Sequence, residues 1–139
     1  MRGFVILVMM VAAAVLVGCN GAGSSQNAGD EPVSLKFDTV AANIIYSVET
    51  QKYDKDSIEG IDSGYGYLVS VNGKKFINQK MIPVIEGKHR FATAEDALNT
   101  GKVVISKMIQ TADLPSLTKA DLIKLGILSE DGTLKNTRK

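Results

Sequence analysis

The residue with the clearest chemistry is Cys19, the only cysteine of the 139-residue chain. It follows Leu16, Val17 and Gly18, an order that looks like a bacterial lipobox: a bulky apolar residue, two small residues, then cysteine. In such signals the thiol is diacylglycerated and the chain is cut just before the cysteine. A chance cysteine after an ordinary cleaved signal is the alternative. With one cysteine, a disulfide within the chain and a Cys-rich zinc site are excluded.

The segment before Cys19 has the anatomy of an export signal. Arg2 supplies a positive charge, and residues 4–17 are an unbroken apolar run. A spanning helix needs about 20 apolar residues, so this run is too short to cross a bilayer. Residues 1–18 are therefore predicted to be a lipoprotein signal peptide, with the mature chain anchored in the bacterial cell envelope. Asn20 stands where a retention signal has aspartate, which favours the outer membrane in a two-membrane envelope.

Nucleophilic catalysis would depend on His89, the only histidine. A Ser-His-Asp or Cys-His arrangement needs it, because Cys19 is committed to lipid. It lies between Lys88 and Arg90, and the sequence offers it no orienting partner. A solvated loop histidine is the better interpretation, so we expect no catalytic residue, no cofactor and no enzymatic activity.

The polar loop 51–64 could bind a metal or a small ligand. Its acidic residues are Asp54, Asp56, Glu59 and Asp62. An EF-hand loop would need an oxygen ligand where Ile58 stands and a bidentate Glu where Tyr65 stands. The spacing therefore favours a solvated turn and predicts no metal site. A small-ligand or metal-binding accessory head that uses this loop remains the alternative function.

The charge balance excludes two classes of partner. The whole chain has a formal net charge of +1, and removal of residues 1–18 takes Arg2 away, so the mature charges cancel. Nucleic-acid binding and electrostatic docking on a membrane both need a basic excess. Residues 19–34 are rich in Gly, Ser and Asn and are predicted to be the lipidated cysteine and a flexible tether. One domain follows over residues 35–128, and residues 129–139 are predicted to be a polar, frayed tail.

Three strands are predicted in that domain. Residues 42–49 alternate between apolar and polar except at Ile45, and residues 65–71 and 75–82 flank Asn72 and Gly73. Asn-Gly tolerates the positive φ angles of a tight type I′ hairpin, so the last two strands should pair. The predicted cross-strand pairs are Val71 with Lys74, Val69 with Phe76, and Tyr67 with Asn78.

Two helices complete the expected fold. Thr93 is the predicted N-cap of a long helix whose apolar face runs from Ala94 to Met108. Gly101 lies on that face, which indicates close packing on a strand. Thr118 should cap a short helix over residues 119–125 that stops at Gly126. The fold class is thus α+β: a small antiparallel sheet packed on one long helix, followed by a short C-terminal helix.

One long helix covers only one face of a small sheet, so the other face is the predicted interaction surface. An apolar centre with a polar rim is typical of a partner site. The alternative is that the segment 117–125 or the N-terminal strand folds over that face. The candidate interaction residues are Leu68, Ser70, Lys75, Ile77, Gln79 and Met81.

Several of these patterns together resemble domain-of-unknown-function family 4907. The resemblance covers about residues 44–126 and rests on Gly64-Tyr65-Gly66-Tyr67, Val71-Asn72-Gly73-Lys74, Ile77-Asn78-Gln79, Ile82-Pro83, Phe91, Ala94-Glu95-Asp96-Ala97, Lys107 and the segment from Thr118 to Leu122. It implies a bacterial envelope protein with a small α+β fold, and it implies no activity. The expected function is therefore a non-enzymatic binding module, held by lipid on Cys19, that contacts an envelope protein or polymer. The sequence leaves its oligomeric state open.

Overall fold

The computed structural model describes residues 34–111 and 113–135. The predicted signal peptide, Cys19 and nearly all of the tether lie outside these residues, and so do the last four residues of the tail. Those predictions therefore stay predictions.

Four antiparallel strands form one sheet in chain order: β1 (Lys36–Ala41), β2 (Ile44–Tyr53), β3 (Gly64–Val71) and β4 (Lys74–Gln79). The α+β class is confirmed, but the expected count of about three strands is one short. The missing strand is β1, since the predicted first strand began at Ala42. Ala42 and Asn43 instead form the tight turn between β1 and β2, with φ angles of 48° and 62°. β2 also runs on to Tyr53, so the loop starts later than residue 51.

The hairpin at Asn72 and Gly73 is confirmed. Both residues have positive φ, 49° and 77°, as a type I′ turn requires. The Asn72 side chain adds a tie to β2, because its Oδ1 accepts a hydrogen bond from the Ile45 amide at 2.9 Å. A long-range bond of this kind fixes the hairpin against its neighbouring strand.

A β-bulge changes the register beyond the turn. Val71 pairs with Lys74 and Ser70 with Lys75, but Val69 then pairs with Ile77. Phe76 is the extra residue. The predicted pairs Val69–Phe76 and Tyr67–Asn78 are therefore wrong, since an inserted residue shifts the rest of the strand by one place. Phe76 is 52% exposed instead of lying under the helix.

Two helices follow, α1 (Ala94–Thr111) and α2 (Lys119–Lys124). Thr93 caps α1, because its Oγ1 accepts from the Asp96 amide at 3.1 Å. Thr118 caps α2 in a reciprocal capping box with Asp121. Both predicted caps are confirmed. In the part of the chain that the structure describes, neither helix has the length and apolarity to cross a membrane.

The core lies between α1 and one face of the sheet. The close approach predicted at Gly101 is confirmed, because a β-carbon there would overlap Cγ2 of Val48. The largest fully buried side chains of the core are Val48, Tyr67, Val69, Phe91, Ile105, Leu122 and Leu128.

The packed domain continues past the predicted boundary at residue 128. Leu128 forms a β-bridge with Leu134, and the Lys135 amide donates to the Ile127 carbonyl at 3.0 Å. Leu134 packs against the core. A frayed tail was predicted for residues 129–139, but the chain stays packed against the domain up to Lys135.

Candidate functional sites

The predicted interaction face is divided by the bulge. Directly paired residues point to the same face of a sheet, so Ile77 lies with Val69 and Gln79 lies with Tyr67, both on the side of α1. Ile77 accordingly packs against the core. Ser70 and Lys75 pair with each other and remain on the opposite side. The six candidate residues therefore do not form one surface.

Leu68 points away from α1 and yet is only 6% exposed. It lies on the interior strand β3, between Glu49 of β2 and Asn78 of β4. It is buried although α1 lies on the other side of the sheet, so its expected exposure is wrong. Neither predicted cover is responsible. Residues Leu117, Ile123 and Leu125 pack against the main core, and β1 pairs beside β2 at the edge of the sheet.

The face of the sheet opposite α1, here called the open face, still presents apolar groups. Val40 and Ile45 are paired across β1 and β2 and are 66% and 49% exposed. The next row of this face holds Asp38 and Ser47, where a hydrogen bond from Ser47 holds the pKa of the Asp38 carboxyl below its usual range. An apolar pair with a polar rim is the arrangement that a partner surface needs.

A second candidate site is a cleft where separate segments meet. Phe91 and Tyr65 exchange backbone hydrogen bonds of 2.9 and 3.0 Å, which hold the segment before α1 against the start of β3. The Ile82 amide donates to the His89 carbonyl at 2.7 Å. Gly64 is required at this junction, since a β-carbon there would lie 2.7 Å from the Arg90 Cβ.

This cleft, here called the polar cleft, has a volume of about 260 Å³. A neighbouring cavity of about 300 Å³ shares its His89 and Leu134 walls. The apolar lining of the polar cleft comes from Ile82, Ala92, Ile127 and Leu134, and its polar lining comes from Asp62, Ser63, Lys88, His89, Arg90, Asp96 and Lys135.

Arg90 fixes the loop that forms one wall. Its Nη1 donates to the backbone carbonyls of Asp54 and Asp62, and its guanidinium carbon lies 5.0 Å from the centre of the Tyr53 ring. Burial raises the pKa of Tyr53, partly opposed by the charge of Arg90. The Arg90 Nε is buried and has no hydrogen-bond partner within the described residues.

Two carboxylates of the acidic loop are engaged in a turn and in an ion pair. The Asp56 carboxylate accepts from the amides of Ile58 and Glu59, as a turn requires. Glu59 forms an ion pair with Lys88 at 2.9 Å. Within residues 34–111 and 113–135, no three His, Cys, Asp or Glu side chains are grouped so that they could hold an ion.

Lys107 and Asp121, which lie in segments that carry the family resemblance, form a structural clamp. The Lys107 Nζ lies 2.6 Å from the Asp121 Oδ2 and 2.9 Å from the Ser116 carbonyl oxygen. It thereby joins α1 to the cap of α2. The hydrogen bond from Lys107, helped by those from Thr118, lowers the pKa of Asp121 to about 2.

The fold therefore defines a small α+β domain, a four-stranded antiparallel meander with one long helix on one face. A family model described as Domain of unknown function (DUF4907) matches residues 58–124, so this stretch of the chain is similar to that family. The match covers β3, β4, α1 and α2, and it confirms the resemblance read from the motifs. Neither the curated proteins nor the solved structures that were compared contain a match to the chain.

The polar cleft was not predicted from the sequence. Its residues come from the loop before β3, the segment before α1, the first turn of α1 and the end of the chain. The one usable signal was the charged run Lys88-His89-Arg90, which directly precedes the buried Phe91. Side chains next to a buried anchor are held in place, whereas those of a free loop are not.

Proposed function

We propose that this protein is a non-enzymatic bacterial envelope lipoprotein. Acyl chains on Cys19 hold it to a membrane, the outer one where two are present, and its α+β head binds another envelope protein. The lipobox and the short apolar run before it support the anchoring. Several acyl chains on one residue give durable attachment, where a single chain is marginal.

The exposed pair Val40 and Ile45 on the open face is the observation that carries the binding role. Helix α1 covers the other face, and α2 packs into the same core, so in the described residues neither helix covers the open face. Strands β1 and β2 present the pair beside charged Lys36 and Asp38, which form an ion pair of 3.3 Å. A protein surface with a small apolar centre and charged rim matches this pattern better than a uniformly polar polymer does.

Site-specific photo-crosslinking in cells tests the binding role. A benzophenone amino acid at position 45 should give one discrete adduct with a second protein. The same group at Asn99, which is exposed on the opposite side of the head on α1, is the matched control and should not. Equal labelling from positions 45 and 99, or no adduct from position 45, would contradict the proposal.

The alternative function is an accessory head that uses loop 51–64, and a specific observation favours a small ligand there. Asp62 and Ser63 at the end of that loop line the polar cleft. The metal-binding form has no group of ligands in the part of the chain described.

A further inference from the structure

We infer that the polar cleft binds a small zwitterion with an apolar side chain, of the size of a free amino acid or a dipeptide. The inference does not depend on lipid anchoring or on the open face. It follows from the charges, the apolar floor and the volume of the cleft.

Charges of both signs line the cleft. Asp62 and Asp96 contribute carboxylates, while Lys88, Arg90 and Lys135 contribute cations. A purely anionic ligand would be repelled by the two carboxylates, and a purely cationic ligand would be repelled by the three cations. A ligand that carries both an ammonium and a carboxylate can satisfy each sign with a charge-assisted hydrogen bond.

The ammonium end is assigned to Asp96. This residue lies in the first turn of α1. Its backbone amide donates a hydrogen bond to Thr93 Oγ1, and its carbonyl accepts one from Thr100 Oγ1. Across residues 34–111 and 113–135, its carboxylate makes no such bond and no ion pair. It is thus a half-buried acceptor at the edge of the cleft that a ligand cation can use.

The carboxylate end is assigned to Arg90. Both of its hydrogen bonds within the described residues leave from Nη1, so the donors of Nη2 stay available to a ligand. Guanidinium has five N–H donors in a planar fork that suits a carboxylate. Lys88 is less suited, because Glu59 already engages it at 2.9 Å.

The apolar floor and the volume of the polar cleft further limit which ligands can bind. Ile82 and Ile127 are buried at the base of the cleft, so an apolar side chain placed against them loses contact with water. A volume of about 260 Å³ is below the usual range for drug-sized ligands and suits a smaller molecule. The segments that form the walls are fixed by backbone hydrogen bonds, so little ordering is needed on binding.

The test is isothermal titration of the full chain in detergent micelles with L-alanyl-L-leucine. We expect saturable binding to the wild-type chain. N-acetylation of the dipeptide, which removes the ammonium, should raise Kd by about tenfold or more. Asp96→Asn should raise Kd for the free dipeptide by a similar factor and leave Kd for the acetylated dipeptide unchanged.

Glu95→Gln is the matched control. Glu95 is the neighbouring carboxylate in the same helical turn, so its loss changes the helix terminus equally, but it lines a different cavity. The control should bind the dipeptide as wild type does, and circular dichroism should show that both variants fold. Absence of saturable binding to wild type, or equal loss in Glu95→Gln and Asp96→Asn, would overturn the inference.

Discussion

Single residues determine how closely the helix approaches the sheet. Gly101 was recognised from the sequence because a glycine on the apolar face of a helix costs about 1 kcal/mol and needs a reason. The structure supplies that reason: the side chains of Val48 and Tyr67 lie directly against it.

Arg90 was not recognised, because its partners are backbone carbonyls of a loop about 30 residues earlier in the chain.

Gly101→Ala should destabilise the fold although alanine is the better helix former. The new methyl group overlaps Val48, and overpacking of this kind costs about 1–3 kcal/mol. Thermal melting followed by circular dichroism measures the loss. The double variant Gly101→Ala with Val48→Ala should be more stable than the sum of the two single changes predicts. Strict additivity would show that Gly101 does not touch Val48.

The clamp between Lys107 and Asp121 should make the free energy of unfolding depend on pH in the acidic range. The pKa of Asp121 is lowered to about 2 in the fold by its hydrogen bonds, so the unfolded chain binds the proton more readily. The contribution is therefore complete above about pH 4, the ordinary range of Asp, and is lost as the pH falls toward 2. We expect about 1–2 kcal/mol, since the pair is partly open to solvent.

Denaturation of wild type and Asp121→Asn at several pH values measures this contribution. The gap between the two should be largest at neutral pH and should narrow between pH 4 and pH 2. Asp113→Asn, an exposed residue in the connection between the helices, is the control and should follow wild type. A gap that is constant across this range would contradict the role of the Asp121 charge.

At the scale of elements, local signals predicted most of the fold. The Asn-Gly turn, the threonine caps and the glycine stop each act over a few residues, so the hairpin and both helices could be predicted from the sequence. β1 could not, because Lys36 and Asp38 interrupt it and Phe37 is its only large apolar side chain towards α1. The bulge at Phe76 could not be predicted from the sequence either, since an apolar residue at this position fits the expected alternation equally well.

The bulge and the interior position of Leu68 give a test on two adjacent residues. Val69→Glu places a carboxylate in the main core and should destabilise by about 3–5 kcal/mol. Leu68→Glu should cost less, about 1–3 kcal/mol, because Leu68 lies outside the main core and a longer chain can reach water.

Leu68→Lys is the matched control for that pair of variants. It lies opposite Glu49, so a cation there should be tolerated better than a carboxylate. Chemical denaturation gives the three free energies of unfolding. Equal loss in Leu68→Glu and Val69→Glu would show a second dry core and would remove the open face as a binding surface.

At the scale of the whole molecule, the two candidate sites have different origins. The open face follows from the element count, since one long helix covers one face of a small sheet. The polar cleft is formed by four segments spread from Asp62 to Lys135. No local sequence pattern predicts that these segments lie together. The anchoring depends on the sequence around Cys19 alone, because that residue lies outside the described part of the chain.

The most direct test of the account is the intact mass of the mature protein together with its distribution between membrane and soluble fractions. We expect a mature chain that starts at Cys19, carries the added mass of acyl chains and stays with the membrane. Cys19→Ser should leave an unprocessed precursor or release the head in soluble form. Wild-type protein that is soluble in the periplasm, with no mass added at Cys19, would contradict the account.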